Sequence, residues 1–146
     1  MKHIKLFENF EEQIELKKLL SHLISIMEYY GYNAENYIIN NRWETEFEKE
    51  KYSFCVKLEI DNFSKRKFIK LEISMSLRAN DSFAKFFMEY LKSIKGMKII
   101  SEEYIAIFKG INKIYFKIFD KDVNKIISQI TKKDIDSKLE MIKYNI

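Results

Sequence analysis

Tyr52-Ser53-Phe54-Cys55-Val56-Lys57-Leu58-Glu59-Ile60-Asp61 is a run in which aromatic and aliphatic side chains alternate with small, polar or charged ones. A backbone that sends successive side chains to opposite faces turns this run into a strand buried on one side and wet on the other. The alternation returns in Ile69, Leu71, Ile73, Met75 and Leu77 against Lys70, Glu72, Ser74, Ser76 and Arg78. It also precedes the run, in Trp43, Thr45 and Phe47 against Arg42, Glu44, Glu46 and Glu48. Only Lys49-Glu50-Lys51 and Asn62-Phe63-Ser64-Lys65-Arg66 separate the three. Loops this short cannot hold a parallel crossover, so the period-two region from Tyr37 to Leu77 predicts three consecutive antiparallel strands. Glu44, Glu46 and Glu48 then share one face and, with Glu50, read as a solvated edge.

On both sides of this region the period becomes helical. From Phe10 to Tyr30, Ile14, Leu16, Leu19, Leu20, Leu23, Ile24, Met27 and Tyr30 form a wide apolar arc. Asn9 and Glu12 stand where a capping box would begin it, and Gly31 where a left-handed residue would end it. After the sheet region, Asp81 or Ser82 caps a second helix that Gly96 closes. Its stripe of Phe83, Phe86, Phe87, Tyr90, Leu91 and Ile94 is the clearest in the chain. At roughly 1.5–3 kcal/mol for each buried side chain, this stripe is expected to be the main fastener of the sheet, burying its aromatics on Phe54, Val56, Leu58, Ile69, Leu71 and Ile73. Two further strands follow, about Met97–Lys109 and Asn112–Asp120, with a bulge or break near Ser101-Glu102-Glu103. A last helix, capped by Asp120 or Asp122, uses Val123, Ile126, Ile127, Ile130, Ile135, Leu139 and Ile142. The step from Ile130 to Ile135 is one residue too long for a continuous stripe, so a restart capped at Thr131 is expected. The reading is one α+β domain over residues 1–146, in the order α-β-β-β-α-β-β-α. An antiparallel sheet of about five strands has helices over one face.

Composition narrows the function classes. The 146 residues carry a net charge of +4, no proline and three glycines, with 23 lysines against 3 arginines and 23 isoleucines. Lysine, isoleucine, asparagine and the aromatics are favoured by AT-rich codons. No apolar stretch approaches a membrane span, and Met1-Lys2-His3-Ile4-Lys5 opens no secretory signal. A lone Cys55 fits a reducing compartment, and the cytoplasm is the expected location.

Catalytic chemistry is thinly supplied. His3 and His22 are the two histidines, and Cys55 lies mid-strand with neither of them near in sequence. The three isolated glycines form no phosphate-cradling loop. Asp120, Asp122 and Asn124 imitate the opening of a calcium loop, but Lys125 and Thr131 stand where that loop needs glycine and a bidentate glutamate. The expectation is a non-enzymatic chain without metal or cofactor, acting on a protein partner.

Charge offers an alternative. Residues 1–73 carry a net −1 and residues 74–146 a net +5. Lys65, Arg66 and Lys67 form a basic hairpin tip. On the face away from the helices, Phe68, Lys70, Lys113, Tyr115, Lys117 and Phe119 interleave basic and aromatic groups. Such a set suits single-stranded nucleic acid, by stacking and phosphate neutralisation, as well as it suits a protein. Two sheet edges protected only by charged side chains and an irregularity near Glu102, together with these aromatics, favour a homodimer joined through an edge or through the open face. The alternative is a monomer whose sheet is covered by lysines and glutamates.

Two resemblances extend the reading. The predicted order of elements is similar, over the whole chain, to that of class I type III secretion chaperones. These are small α+β homodimers that hold extended client segments, which implies an open sheet and helix surfaces free for dimerisation or client capture. The segment Met1-Lys2-His3-Ile4-Lys5-Leu6-Phe7-Glu8-Asn9-Phe10-Glu11-Glu12 resembles the N-terminal leaders of proteins packaged into the heads of large tailed phages. Those leaders begin Met-Lys and are trimmed after a Leu/Ile-x-Glu triplet, which Leu6-Phe7-Glu8 fits, as does Ile100-Ser101-Glu102. The resemblance implies a virus-encoded protein with residues 1–9 as a leader, found in the virion or the host cytoplasm and acting on a host factor.

Overall fold

The computed structural model describes residues 13–39, 42–50, 52–61, 67–76, 81–106 and 110–144. The period-two region forms a four-strand meander: β1 (Asn33–Ile39), β2 (Arg42–Lys49), β3 (Tyr52–Asp61) and β4 (Phe68–Ser76). After a helix come β5 (Lys98–Ile105) and β6 (Ile111–Ile118). All pairings are antiparallel and the spatial order is β1-β2-β3-β4-β6-β5. Among the described residues the sheet therefore has six strands where sequence periodicity indicates about five. The addition is β1, an edge strand exposed along nearly its whole length, so no burial pattern is written into its residues. Its presence also makes β2 an interior strand, correcting the reading of Glu44, Glu46 and Glu48 as an edge.

The helices are α1 (Ile14–Tyr29), α2 (Ser82–Lys92), α3 (Val123–Gln129) and α4 (Lys132–Lys143). Phe47, Phe54, Val56, Leu58, Ile69, Leu71, Ile73, Met75, Ile114, Phe116 and Ile118 point from one sheet face into a single core. Leu16, Leu19, Leu23, Met27, Phe87, Leu91 and Ile126 meet them from the helices. The architecture is α+β with helices on one face. Phe83 and Phe86 are only partly buried, a correction to their expected role, and α2 buries Ala84 and Met88 along with Phe87, Tyr90 and Leu91. Eleven residues cannot turn so broad an aromatic arc wholly inward. The anchoring is accordingly shared with α1, which buries six side chains.

Caps and ties fix the helices. Asp81 Oδ1 accepts from the N–H groups of Phe83 (3.0 Å) and Ala84 (3.1 Å), while Oδ2 accepts from the Tyr32 hydroxyl at 2.6 Å. This buried carboxylate thus joins the end of α1 to the start of α2 and leaves both its oxygens satisfied. The restart expected at Thr131 is present, with its Oγ1 accepting from Asp134 N–H at 3.1 Å. The caps expected of Asp120 or Asp122 are absent. A single 3₁₀ turn, Asp120–Asp122, leads into α3 with no side-chain cap. The irregularity in β5 is a register shift between Ile99 and Ser101. Gly31, Gly96 and Gly110 all have positive φ. At Gly110 the positive φ disfavours any side chain, and a Cβ would also lie 2.6 Å from the ring of exposed Tyr104, which would have to swing away.

The Asn9–Glu12 capping box, the leader-like segment, Leu77, Lys65 and Arg66 lie outside the described residues. Among the described residues, no helix is long and apolar enough to cross a membrane.

Candidate interaction face

The side of the sheet opposite the helices is built by the alternate residues of every strand. Pairing registers lay Glu44, Lys57, Glu72 and Tyr115 in one row across β2, β3, β4 and β6. A neighbouring row runs Glu59, Lys70, Lys117 and Lys98 across β3, β4, β6 and β5. Lys57 Nζ lies 3.4 Å from Glu72 Oε2 and 3.9 Å from Glu44 Oε1, and Arg42 Nη2 donates to the same Glu44 oxygen at 2.6 Å. Lys70 Nζ is 4.0 Å from Glu59 Oε1. Arg42, Lys57, Glu59, Lys70, Glu72 and Tyr115 wall a shallow hollow of about 210 Å³ at the middle of the face. Tyr115 also hydrogen-bonds Glu72. Its phenol is pushed up to about 12, first by burial and then by that carboxylate.

Beside the hollow is a corner of lysines and rings. Lys117 Nζ lies 4.5 Å from the Phe68 centroid and 5.1 Å from that of Phe119. Lys98 Nζ lies 5.3 Å from Phe119, and Lys70 Nζ 5.0 Å from Tyr115. These are cation–π distances, and the aliphatic stems cover ring surface that would otherwise meet water. Phe68 is 8% exposed, so it is not the open aromatic that strand alternation suggests. Phe119, just past β6, is half-buried and packs edge-on to Phe68 at 6.5 Å.

Of the sequence-derived site residues, the fold brings Phe68, Lys70, Lys113, Tyr115, Lys117 and Phe119 onto this side. Lys67 is exposed immediately before β4. What single-strand reading misses is the electrical division of the face. The half made by β1, β2 and β3 presents Glu35, Glu44, Glu46, Glu48, Glu59 and Asp61 against Arg42 and Lys57. The half made by β4, β6 and β5 presents Lys70, Lys113, Lys117 and Lys98 against Glu72 and Glu103. Strand order was needed to see it, because β6 inserts between β4 and β5 and so gathers lysines from distant sequence.

Other candidate chemistry is otherwise engaged. His22 Nε2 donates to the Ile130 carbonyl at 2.6 Å, tying α1 to the break between α3 and α4. Burial pushes the Cys55 thiol up to about 11, with Lys57 pulling weakly the other way, so the reactive thiolate is disfavoured. Among the described residues, no three His, Cys, Asp or Glu side chains converge as a metal site. A larger hollow of about 550 Å³ lies between α2 and the β5–β6 hairpin, over Met75, Met88 and Ile114. On its rim Lys92 is held by Glu89 at 2.8 Å and by Glu102, and those bonds push its ammonium pKa upward.

No protein family, curated protein or solved structure is found to match the chain.

Proposed function

We propose that the chain is a non-enzymatic protein-interaction module, chaperone- or inhibitor-like, that docks a protein partner on the open sheet face. The observation that carries this reading is the division of that face into an acidic and a basic half around a half-buried ion-pair row. Opposed charges on a broad, regular surface give specificity and orientation to protein association. The hydrogen-bonded His22 and the raised thiol pKa of Cys55 favour binding over catalysis. The nucleic-acid reading draws on the same lysines and rings, but it needs ring faces free for bases. Here the lysines of the chain itself lie over those rings, and the glutamates of β1 and β2 would repel a phosphate backbone that crossed the sheet.

The test is retention of a partner on immobilised protein, comparing wild type with Lys98→Glu/Lys117→Glu, before and after nuclease treatment. Retention that survives nuclease and is lost in the variant supports the module. Retention abolished by nuclease transfers the face to nucleic acid, and its affinity would then fall steeply with salt.

A further inference from the structure

We infer that the protein seated on the open face is a second copy of this chain. The two copies pack sheet to sheet about a two-fold axis running along the strands between β3 and β4. This inference rests on the protein-docking reading above and names the partner.

Symmetry and charge select this arrangement. A two-fold axis parallel to the strands, lying between two facing sheets, exchanges left and right and leaves height along the strand unchanged. It therefore sets the acidic half of each copy on the basic half of the other, as an isologous contact requires. A two-fold axis across the strands would instead set acid on acid and base on base. The register makes the match specific near the axis. Lys57 pairs with Glu72, and Glu59 with Lys70, at equal heights within one chain. Across the axis Lys57 then faces the partner's Glu72, and Glu59 faces the partner's Lys70. One strand further out, Glu46 and Lys113 also share a height, both being level with the Cys55–Ser74 pair, so Glu46 faces the partner's Lys113.

Two like-charge meetings oppose this pairing, Glu35 with the partner's Glu103 and Arg42 with the partner's Lys117. Both lie away from the axis. Aligned sheets cross at about 30°, so side chains move further off register the further they lie from the axis. Arg42 is moreover already neutralised by Glu44.

Size agrees as well. Six strands about 4.8 Å apart and about eight residues long at about 3.3 Å each make a plate of about 750 Å². A standard-size interface uses about 800 Å² of each partner. The central hollow falls on the proposed axis, and there Glu72 Oε2 is buried with an ion pair to Lys57 at 3.4 Å but no hydrogen bond among the described residues, so that the partner's Lys57 can add a donor.

The experiment is a charge-swap complementation on the full chain, read by sedimentation at tens of micromolar and low salt. Wild type is expected to sediment at twice 17.7 kDa and to dissociate as salt rises. Lys70→Glu/Lys113→Glu and Glu46→Lys/Glu59→Lys, which reverse the two sides of the Glu59–Lys70 and Glu46–Lys113 contacts, are each expected to be monomeric alone and to form a dimer when mixed in equal amounts. The mixture restores both acid-on-base contacts, an outcome that misfolding of either variant cannot produce. Circular dichroism melting checks that each variant is folded. Should either pair unfold the chain, Lys70→Gln/Lys113→Gln takes its place, with the salt dependence as the readout.

A wild type that is monomeric throughout overturns the inference. So does a dimer that both variants leave intact, which would place the contact on a sheet edge, and so does a mixture of folded variants that stays monomeric. A monomeric wild type that still retains a foreign protein through Lys98 and Lys117 overturns the second copy alone and leaves the docking function standing.

Discussion

On one face of β3 and β4, Val56, Leu58, Leu71 and Ile73 are all but sealed from water. One residue along the same strands, on the other face, Lys57, Glu59, Lys70 and Glu72 meet as ion pairs at 3.4 and 4.0 Å. Each sealed side chain stabilises the fold by roughly 1.5–3 kcal/mol. A partly exposed ion pair contributes about 0.2–1 kcal/mol. One pair of strands thus carries two surfaces whose residues answer to different demands. Substitution on the helix side acts on folding, and substitution on the open side leaves folding nearly untouched. A chain built this way can change the charge pattern of its open face by changing alternate residues while its core stays as it is.

The sharpest way to break that comparison is to open the core. Phe87 is 1% exposed and stacks on Phe83 and Tyr90. Phe87→Ala is expected to cost about 3–5 kcal/mol in denaturant unfolding. A loss below about 1 kcal/mol would show that the helix side is not what holds the sheet. Asp81→Ala ranks next, at about 2–4 kcal/mol, because it removes the α2 cap and strands the Tyr32 hydroxyl without its acceptor. If Asp81→Asn restores most of the loss, the cap outweighs the charge.

Alkaline pH probes both faces together. Burial followed by the Asp81 bond raises the Tyr32 phenol, and burial followed by Glu72 raises Tyr115 to about 12. An unfolded tyrosine titrates near 10. Above that pH the folded state holds more protons than the unfolded one. The contribution of these groups is therefore whole below about pH 10 and falls as pH climbs through the folded values. Denaturant midpoints measured from pH 9 to 12 should decline, and Tyr32→Phe should flatten the decline.

The smallest effect belongs to the open face. Lys70→Ala and Lys117→Ala should each shift stability by no more than about 0.5 kcal/mol, consistent with partly exposed charges. An effect above about 2 kcal/mol would make the lysine–ring corner part of the core.

The sheet was legible in the sequence wherever a strand had one face buried and one wet. That is why Phe54 through Ile60 and Ile69 through Met75 announce themselves, while Asn33–Ile39 does not. An edge strand with only Ala34 partly buried has nothing to alternate. Helix ends were readable where a side chain does the capping, as at Asp81 and Thr131. They misled at Asp120 and Asp122, where a 3₁₀ turn takes that place. Of the site, alternation put Lys70, Lys113, Tyr115 and Lys117 on the open side. The two-halved charge pattern was hidden because it depends on which strands become neighbours. The fate of His22 was hidden for a related reason, since its acceptor lies 108 residues away.

The break at Ile130 and Thr131 has a further consequence. Beyond it α4 has only Ile135 fully buried and Leu139 partly so, while Met141, Ile142 and Tyr144 face outward. Its ties to α1 gather near its first turns, where Tyr30 donates to Asp136 at 2.7 Å. With so little of it buried, α4 is the helix expected to open first in native-state hydrogen exchange, before any of the strands unpair. Opening of that kind would expose the side of the sheet that carries the core and leave the opposite, open face as it is.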